Sequence, residues 1–362
     1  MSSLGNIKNI LSNFDKGQLV GIDIGISSVK VALLSKGKKN QFVLEGFAVE
    51  PLGEAVIIED EIQKPDEVLN ALESALEAAQ IKKKIICLGM DGPNTMTKRL
   101  KIPDGSKDEL RDNVEWEAEQ YITFGIDESV LDFNILSKDK DEDVADVFLA
   151  AVAESTVESY LELLKSINLA PRVVDLNVIA LSNLFEKINH QSIEDISDEG
   201  AVIVDFGAQK TTVIVYRNSA PVLTKEIYIG GVLVTEEIQK GMGVNFTDAE
   251  SLKVSGDEKG NIPEDILPII ESHNQRLSEE LKKTLNFYIA AGSSDQVGHC
   301  FVTGGSSLLP GTIDMLTDLV HLPVQPLNPF DIITVRKKYS EEEIEQIASM
   351  GLVAIGLGLR AV

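Results

Sequence analysis

Apolar and polar positions alternate along this chain in two rhythms, one of period two and one of three to four residues. Residues 19–34 (LVGIDIGISSVKVALL) form two β-rich apolar runs about a Gly/Ser turn, which predicts a hairpin. Residues 66–80 (DEVLNALESALEAAQ) place Val68, Leu69, Leu72, Ala75, Leu76 and Ala79 on one helical face, and IICLGM at 85–90 predicts a buried strand. TKRLKIP leads into a helix opening on Ser106 and Glu109, the pattern of a capping box. Its apolar positions are Leu110, Val114, Trp116, Ala118 and Tyr121, so Trp116 reads as core or groove wall. VLDFNIL (130–136) and DVFLAAV (146–152) predict strands joined by the solvated loop SKDKDED. A helix at 155–168 and the run PRVVDLNVIALSNLF (171–185) follow, and polar HQSIEDISDEG (190–200) reads as a linker.

Strand, turn and strand then return as AVIVDFGAQKTTVIVY (201–216). KEIYIGGVLVTEEIQKGMG (225–243) predicts a strand, a Gly pair and a helix, and a long helix spans 268–292. HCFVTGGSSLLPG (299–311) reads as strand, Gly-rich turn and helix start. A second capping box at Ser340 and Glu343 precedes SMGLVAIGLGLRAV, a small-residue helix able to pack closely on a sheet.

Composition narrows the function classes. The 362 residues carry 33 Lys+Arg against 58 Asp+Glu, a formal net charge of -25, which disfavours nucleic-acid binding. The two cysteines, Cys87 and Cys300, sit in apolar runs and predict buried thiols in a reducing compartment. No run of 18 apolar residues and no signal peptide occurs, so a cytoplasmic chain without a transmembrane segment is expected. Within the leader 1–18, Leu4, Ile7, Ile10, Leu11 and Phe14 fall at helical spacing. With only Lys8 and Lys16 for lipid, packing on the protein or a frayed end is favoured over a membrane contact.

The candidate chemistry lies in an internal repeat. GIDIGISSVKVALLS (21–35) and VIVDFGAQKTTVIVYR (202–217) share an apolar strand, an Asp, one residue, a Gly, a small polar turn and a second strand. Such turns aim backbone N–H groups at an anion, and Gly permits close approach. Asp23 and Asp205 suit the hydration shell of Mg2+, and Lys30 suits a phosphate. TGGSSLLPG (303–311) offers a Gly pair for a flat base or ribose. No Walker motif, GxGxxG, CxxC or GxSxG occurs, and His190, His273, His299 and His321 lack ligand spacing.

On these residues the chain, from 19 to 362, resembles the actin-like ATPase superfamily: GIDIGISSVK and VDFGAQKTT its two phosphate motifs, VVDLNVIALSNLF and MGLVAIGLGLR its connecting segments, TGGSSLLPG its adenosine motif. EAEQYITFGIDESVLDF, GGVLVTEEIQKGMGVNFTDAESLK paired with ELKKTLNFY, and VQPLNPFDII resemble the PilM family of type IV pilus assembly in particular, beside FtsA. The resemblance implies an α/β actin-like ATPase fold of two lobes, each a mixed β-sheet flanked by helices: 19–190 with an inserted subdomain near 97–150, and 191–340 with a smaller one near 232–292. Residues 341–362 would return to the first lobe.

Residue by residue, it implies that Asp23, Gly25, Ser27, Ser28 and Lys30 meet phosphates and Mg2+, with Asp205, Gly207, Lys210, Thr211 and Thr212 opposite. Gly230 and Gly231 would border the cleft, Glu280 and Lys283 would reach ribose or base, and Gly304, Gly305 and Ser306 would seat the adenosine. ATP and Mg2+ are the implied cofactors. The implied partners are the N-terminal cytoplasmic peptide of a PilN-type inner-membrane protein and other pilus platform proteins, at the inner face of the inner membrane, with a homo-oligomer left open. Twitching motility is the process the resemblance implies. Two departures bear on turnover. Ile26 stands where a small residue is usual, and Asn177 stands near the position of a water-orienting Gln or Glu, where an amide cannot act as a base, so hydrolysis is expected to be weak or absent. With Asp23 and Asp205, Asn177 completes the candidate catalytic set. A small-molecule kinase and an FtsA-like membrane-associated filament protein are the alternatives.

Overall fold

The computed structural model describes residues 18–37, 41–58, 61–139, 141–192, 200–257, 260–290 and 297–361. The helix expected in the leader and the centre of the linker at 190–200 lie outside the described residues.

The first part of the chain runs β1 (Val20–Ile24), β2 (Ser28–Lys36), β3 (Phe42–Pro51), a two-residue hairpin of β4 (Ile57–Ile58) and β5 (Glu61–Ile62), α1 (Pro65–Ala78) and β6 (Ile85–Met90). It then leaves to build β7 (Thr95–Pro103), α2 (Lys107–Ala118), β8 (Ser129–Asp139) and β9 (Val144–Ala153), and returns through α3 (Glu154–Ser166), β10 (Ala170–Leu176) and α4 (Asn177–Ser192). The second part runs β11 (Ala201–Phe206), β12 (Thr211–Arg217), β13 (Ala220–Ile227), α5 (Gly231–Met242), α6 (Phe246–Val254), α7 (Leu267–Ala290), β14 (His299–Thr303), α8 (Thr312–Val320) and β15 (Val324–Pro326). Strand β16 (Ile333–Val335) and helices α9 (Glu341–Met350) and α10 (Leu352–Gly358) close the chain.

Two mixed sheets carry the architecture. The first has the order β10-β6-β1-β2-β3-β16 and the second β13-β12-β11-β14-β15. In each, three consecutive strands form an antiparallel meander, and later strands add parallel beside the first of the three. The sequence repeat is therefore a repeat of topology: β3-β2-β1-β6-β10 and β13-β12-β11-β14-β15 follow one plan. Parallel additions require covered faces, and α4 and α10 supply part of that cover between the sheets. Leu181, Leu184 and Phe185 of α4 and Leu352, Ala354 and Ile355 of α10 share one core with Leu34 and Leu44 of the first sheet and Ile203, Ile214 and Phe301 of the second. Phe185 meets Tyr216 and Phe301 edge-on, with ring centroids 5.1 and 5.2 Å apart. A side chain of that size buried this fully contributes roughly 1.5–3 kcal/mol.

The small residues of α10 explain its depth. A Cβ on Gly21 of β1 would overlap Ala354 O, and one on Gly356 would overlap Ala180 O of α4, so the helix lies directly on both backbones.

Strands β7, β9 and β8 form a separate antiparallel sheet, with α2 packed on it through Leu110, Val114 and Ala118. Both expected capping boxes are present, at Ser106/Glu109 and Ser340/Glu343. Of the two readings of Trp116, core is excluded: it is 66% exposed, and Tyr121 is 42% exposed. Trp116 lies two residues from both Val114 and Ala118, on the side of α2 turned away from the sheet.

Candidate functional site

Two hairpins face each other across a cavity of about 880 Å3 lined by residues of both large sheets. In the first, the Gly25 N–H donates to Ser28 O at 3.1 Å and the register pairs Asp23 with Lys30. In the second, the Gly207 N–H donates to Lys210 O at 3.0 Å and the register pairs Asp205 with Thr212. Both turns thus close four residues, and each Asp lies two residues before the turn glycine.

The electrostatics of the two differ. Asp23 is held by its cross-strand lysine, with Lys30 Nζ 3.2 Å from Oδ2, while the Asn177 amide donates to Oδ1 at 3.4 Å. Asp205 faces a threonine across the strands instead. Burial, added to by the negative charges of Asp23 and Asp91, pushes its carboxyl up to about 7, against the opposing pull of Lys30 and Lys210. Lys210 points to a carboxylate on each side of the cavity, 2.9 Å from Asp91 Oδ1 and 2.7 Å from Glu226 Oε1. Burial and Asp91 raise the Glu226 carboxyl above the usual range.

Thirteen of the expected residues line this one cavity: Asp23, Gly25, Ser27, Ser28, Lys30, Asn177, Asp205, Gly207, Lys210, Thr212, Gly304, Gly305 and Ser306. Three others stand behind it and brace the second turn. Thr211 Oγ1 donates to Ile229 O at 2.8 Å, and the Gly231 N–H donates to Gly207 O at 3.1 Å. Gly230 packs against the backbone of Ala208 and Gln209 with no room for a Cβ. Ser306 Oγ also donates to Gly207 O, at 2.9 Å, joining the Gly-rich turn to the second hairpin. Gly304 has φ 89°, and a Cβ there would overlap the Asp205 carboxylate and Phe206 O, so glycine is required twice over.

Glu280 and Lys283 do not reach the cavity. They form an ion pair on the outer side of α7, with side chains 42% and 70% exposed. Leu277, Leu281 and Thr284 turn inward on that helix, which carries residues 280 and 283 away. The same Glu-x-x-Lys spacing occurs on α6, where Glu250 and Lys253 do line the cavity. Lys253 is buried and donates to Gly231 O, Thr235 Oγ1 and Glu250 Oε2 at 3.1, 2.8 and 2.7 Å. Asp91 and Glu226 also line the cavity without having been expected. Asp91 closes the buried run IICLGM and repeats the pattern of an acid at the end of an apolar strand. Glu226 has no such local signal, because only the register opposite Thr212 brings it there.

Among the described residues, two polar atoms on the cavity wall have no hydrogen-bond partner. Ser28 Oγ and Asn177 Oδ1 are buried and accept or donate nothing. A buried polar atom left so costs about 1–3 kcal/mol, and such atoms are rare enough to require a reason.

A family model described as "Type IV pilus assembly protein PilM" matches residues 21–362. The chain belongs to the PilM family. A solved structure described as "PilM-PilN type IV pilus biogenesis complex" is 26% identical, with a TM-score of 0.81 over 96% of this chain and 99% of that one. The ethanolamine utilization protein EutJ from Carboxydothermus hydrogenoformans, 11% identical with a TM-score of 0.56 over 98% and 94% of the two chains, shares the fold. Among curated proteins, the cell division protein FtsA of Bacillus subtilis (strain 168) is 23% identical over 158 residues, and that of Enterococcus hirae 26% over 147. These alignments take in 38% and 35% of this chain, and the chain spans about a third of the length of each relative. The PilM-family chain thus has the actin-like ATPase fold, which generally binds nucleotide with Mg2+. Among the described residues, no helix is long and apolar enough to cross a membrane.

Proposed function

We propose that this PilM-family chain is an ATP-binding scaffold of the type IV pilus assembly platform, docking the N-terminal cytoplasmic peptide of a PilN-type membrane protein at the inner face of the inner membrane. The observation that carries the scaffold reading is the likeness to the PilM–PilN structure along nearly the whole of both chains. The chain would act as two lobes, 19–190 and 191–340, around the nucleotide cavity, with the inserted three-stranded sheet contributing to the peptide groove.

The cavity residues fit ATP·Mg2+. Two Asp hairpins face one another, Lys30 and Lys210 supply cations, and Ser28 Oγ is an orphan donor 97% buried beside the first turn. Asp23 and Asp205 would hold the hydration shell of the metal, and Gly304, Gly305 and Ser306 would seat the nucleoside. Glu250 and Lys253, which line the cavity, would take the place at the ribose or base that the resemblance implied for Glu280 and Lys283. The bound metal would neutralise charge on the phosphates. Asn177 spends its amide N–H on Asp23 and keeps its carbonyl oxygen for a water, which it can orient but not deprotonate. Slow or absent hydrolysis follows.

The test is a calorimetric titration of the full chain with the N-terminal peptide of its PilN-type partner, with and without ATP·Mg2+. Binding is expected in both, with an affinity that nucleotide changes. No peptide binding in either condition would sink the scaffold reading, and no heat with ATP·Mg2+ alone would sink the nucleotide reading.

A further inference from the structure

The cations of the cavity are already committed. Lys210, on the second hairpin turn, reaches across to Asp91, which directly follows β6 of the first sheet, while a second partner, Glu226, lies on β13 of its own sheet. The Lys210 side chain is 8% exposed and that of Asp91 37%, so the pair joins a buried lysine on one side of the cavity to a carboxylate on the other that keeps contact with water. Asp91 Oδ1 carries a second load. The same oxygen that meets Lys210 accepts the Gly92 N–H at 2.9 Å. Gly92 has φ 98° and its carbonyl accepts from both Thr95 N and Thr95 Oγ1, at 3.0 and 2.8 Å, which shapes the turn entering β7. The exit from the three-stranded sheet is pinned at the same place, where the Ala153 N–H donates to Asn94 O at 2.9 Å. Asp91 therefore sits where the three-stranded sheet is rooted in the first large sheet, and Lys210 holds it from the other side of the cavity.

We propose that Asp91 and Lys210 form a clasp across the cleft that an incoming nucleotide opens: phosphate takes Lys210, and Asp91 and the turn at residues 92–95 are released, which couples the cavity to the three-stranded sheet. The clasp rests on the nucleotide reading given above. Its chemical basis is competition for one cation. A phosphate oxygen and the Asp91 carboxylate are alternative partners for Lys210 Nζ, and Glu226 remains its anchor in either state because it lies on the same sheet. The released carboxylate keeps the Gly92 N–H but loses its counter-charge. What the turn loses is its fastening to the opposite hairpin: Asp91 Oδ1 no longer ties the Gly92 N–H to Lys210, so residues 92–95 can open.

The experiment is hydrogen exchange on the full chain, read at the amides of residues 92–96 and 153–154, together with calorimetric titration of ATP·Mg2+. Wild-type protein should exchange faster at these amides when ATP·Mg2+ is bound. Asp91→Asn removes the competitor for Lys210. It should bind ATP·Mg2+ about fivefold more tightly, and its nucleotide-free exchange at 92–96 should match that of the loaded wild type. Glu226→Gln leaves the pair with Asp91 in place, so it should tighten ATP·Mg2+ binding less than Asp91→Asn does and leave nucleotide-free exchange at 92–96 as in wild type. Unchanged exchange at 92–96 when wild-type protein binds ATP·Mg2+, or unchanged or weaker binding by Asp91→Asn, overturns the clasp alone. Absence of any ATP·Mg2+ binding by the wild type overturns the nucleotide reading, and the clasp with it.

Discussion

Two helices of the second half carry the same four-residue pattern, Glu-x-x-Lys, in opposite circumstances. On α7, Glu280 and Lys283 face solvent; the Lys283 ammonium is held charged by its hydrogen bond with Glu280, and its pKa moves up. On α6, Lys253 is buried, and burial drives its pKa down even though Glu250 draws it up. Its ammonium makes three hydrogen bonds, one to the backbone beside the Gly pair and one to Thr235 of α5. One pair decorates a surface and the other joins α6, α5 and the floor of the cavity. Spacing establishes that two side chains can meet on a helix. It does not establish which way that face points, which depends on the neighbouring apolar residues and on what the helix packs against.

The widest separation of the two pairs should come from Lys253→Ala. It strips the Gly231 carbonyl, the Thr235 hydroxyl and the Glu250 carboxylate of a partner at once. Removing one member of a buried charged network costs about 3–5 kcal/mol, and because Glu250 keeps some contact with water the lower figure applies. Urea unfolding should give a loss of about 3 kcal/mol, and Lys253→Met, which restores the stem, should recover only a minor part. A loss under 1 kcal/mol would mean that Lys253 is no more structural than Lys283.

Acid should reveal the same contrast. His273 lies buried on α7, and burial, with the positive charges of Arg276 and Lys253, lowers its pKa to about 4. The unfolded chain takes up this proton near pH 6.5, whereas the native state refuses it until near pH 4. Between those values the unfolded state binds more protons, so stability falls as pH falls through the window and is fully present above it. The wild type should lose about 2 kcal/mol more than His273→Gln between pH 7 and pH 4.5, by unfolding titrations at each pH. Equal pH dependence in the two proteins would show that burial, with Arg276 and Lys253, does not hold His273 neutral.

How much of this could be read beforehand depends on where the information resides. The two Asp hairpins were legible because strand, turn and site are contiguous in sequence, and the Gly-rich turn at 303–306 for the same reason. The depth of α10 was legible from its glycines. Asp91 was half-legible, as an acid closing an apolar run. Glu226 and Lys253 were not, because each enters the cavity through a tertiary pairing, β13 on β12 in one case and α6 against α5 in the other. The core reading of Trp116 fails for a related reason: helical spacing groups it with Val114 and Ala118 in number but not in azimuth, and a single exposed aromatic is invisible to a pattern that counts apolar residues.

The smallest effect is the most exacting test of the comparison. Lys283→Ala deletes an ion pair that resembles the Lys253 pair in spacing and is tighter in separation, 2.5 Å against 2.7 Å. If distance set the energy, the two alanine variants would cost alike. Solvent screening and the entropy of holding two long side chains argue otherwise, and exposed pairs of this kind are worth about 0.3–0.5 kcal/mol. Lys283→Ala should therefore leave the urea midpoint close to that of the wild type and ATP·Mg2+ affinity unchanged, since the side chain lies outside the cavity lining. A weakened affinity would return Lys283 to the nucleotide site, and would require α7 to turn its outer face inward when nucleotide binds.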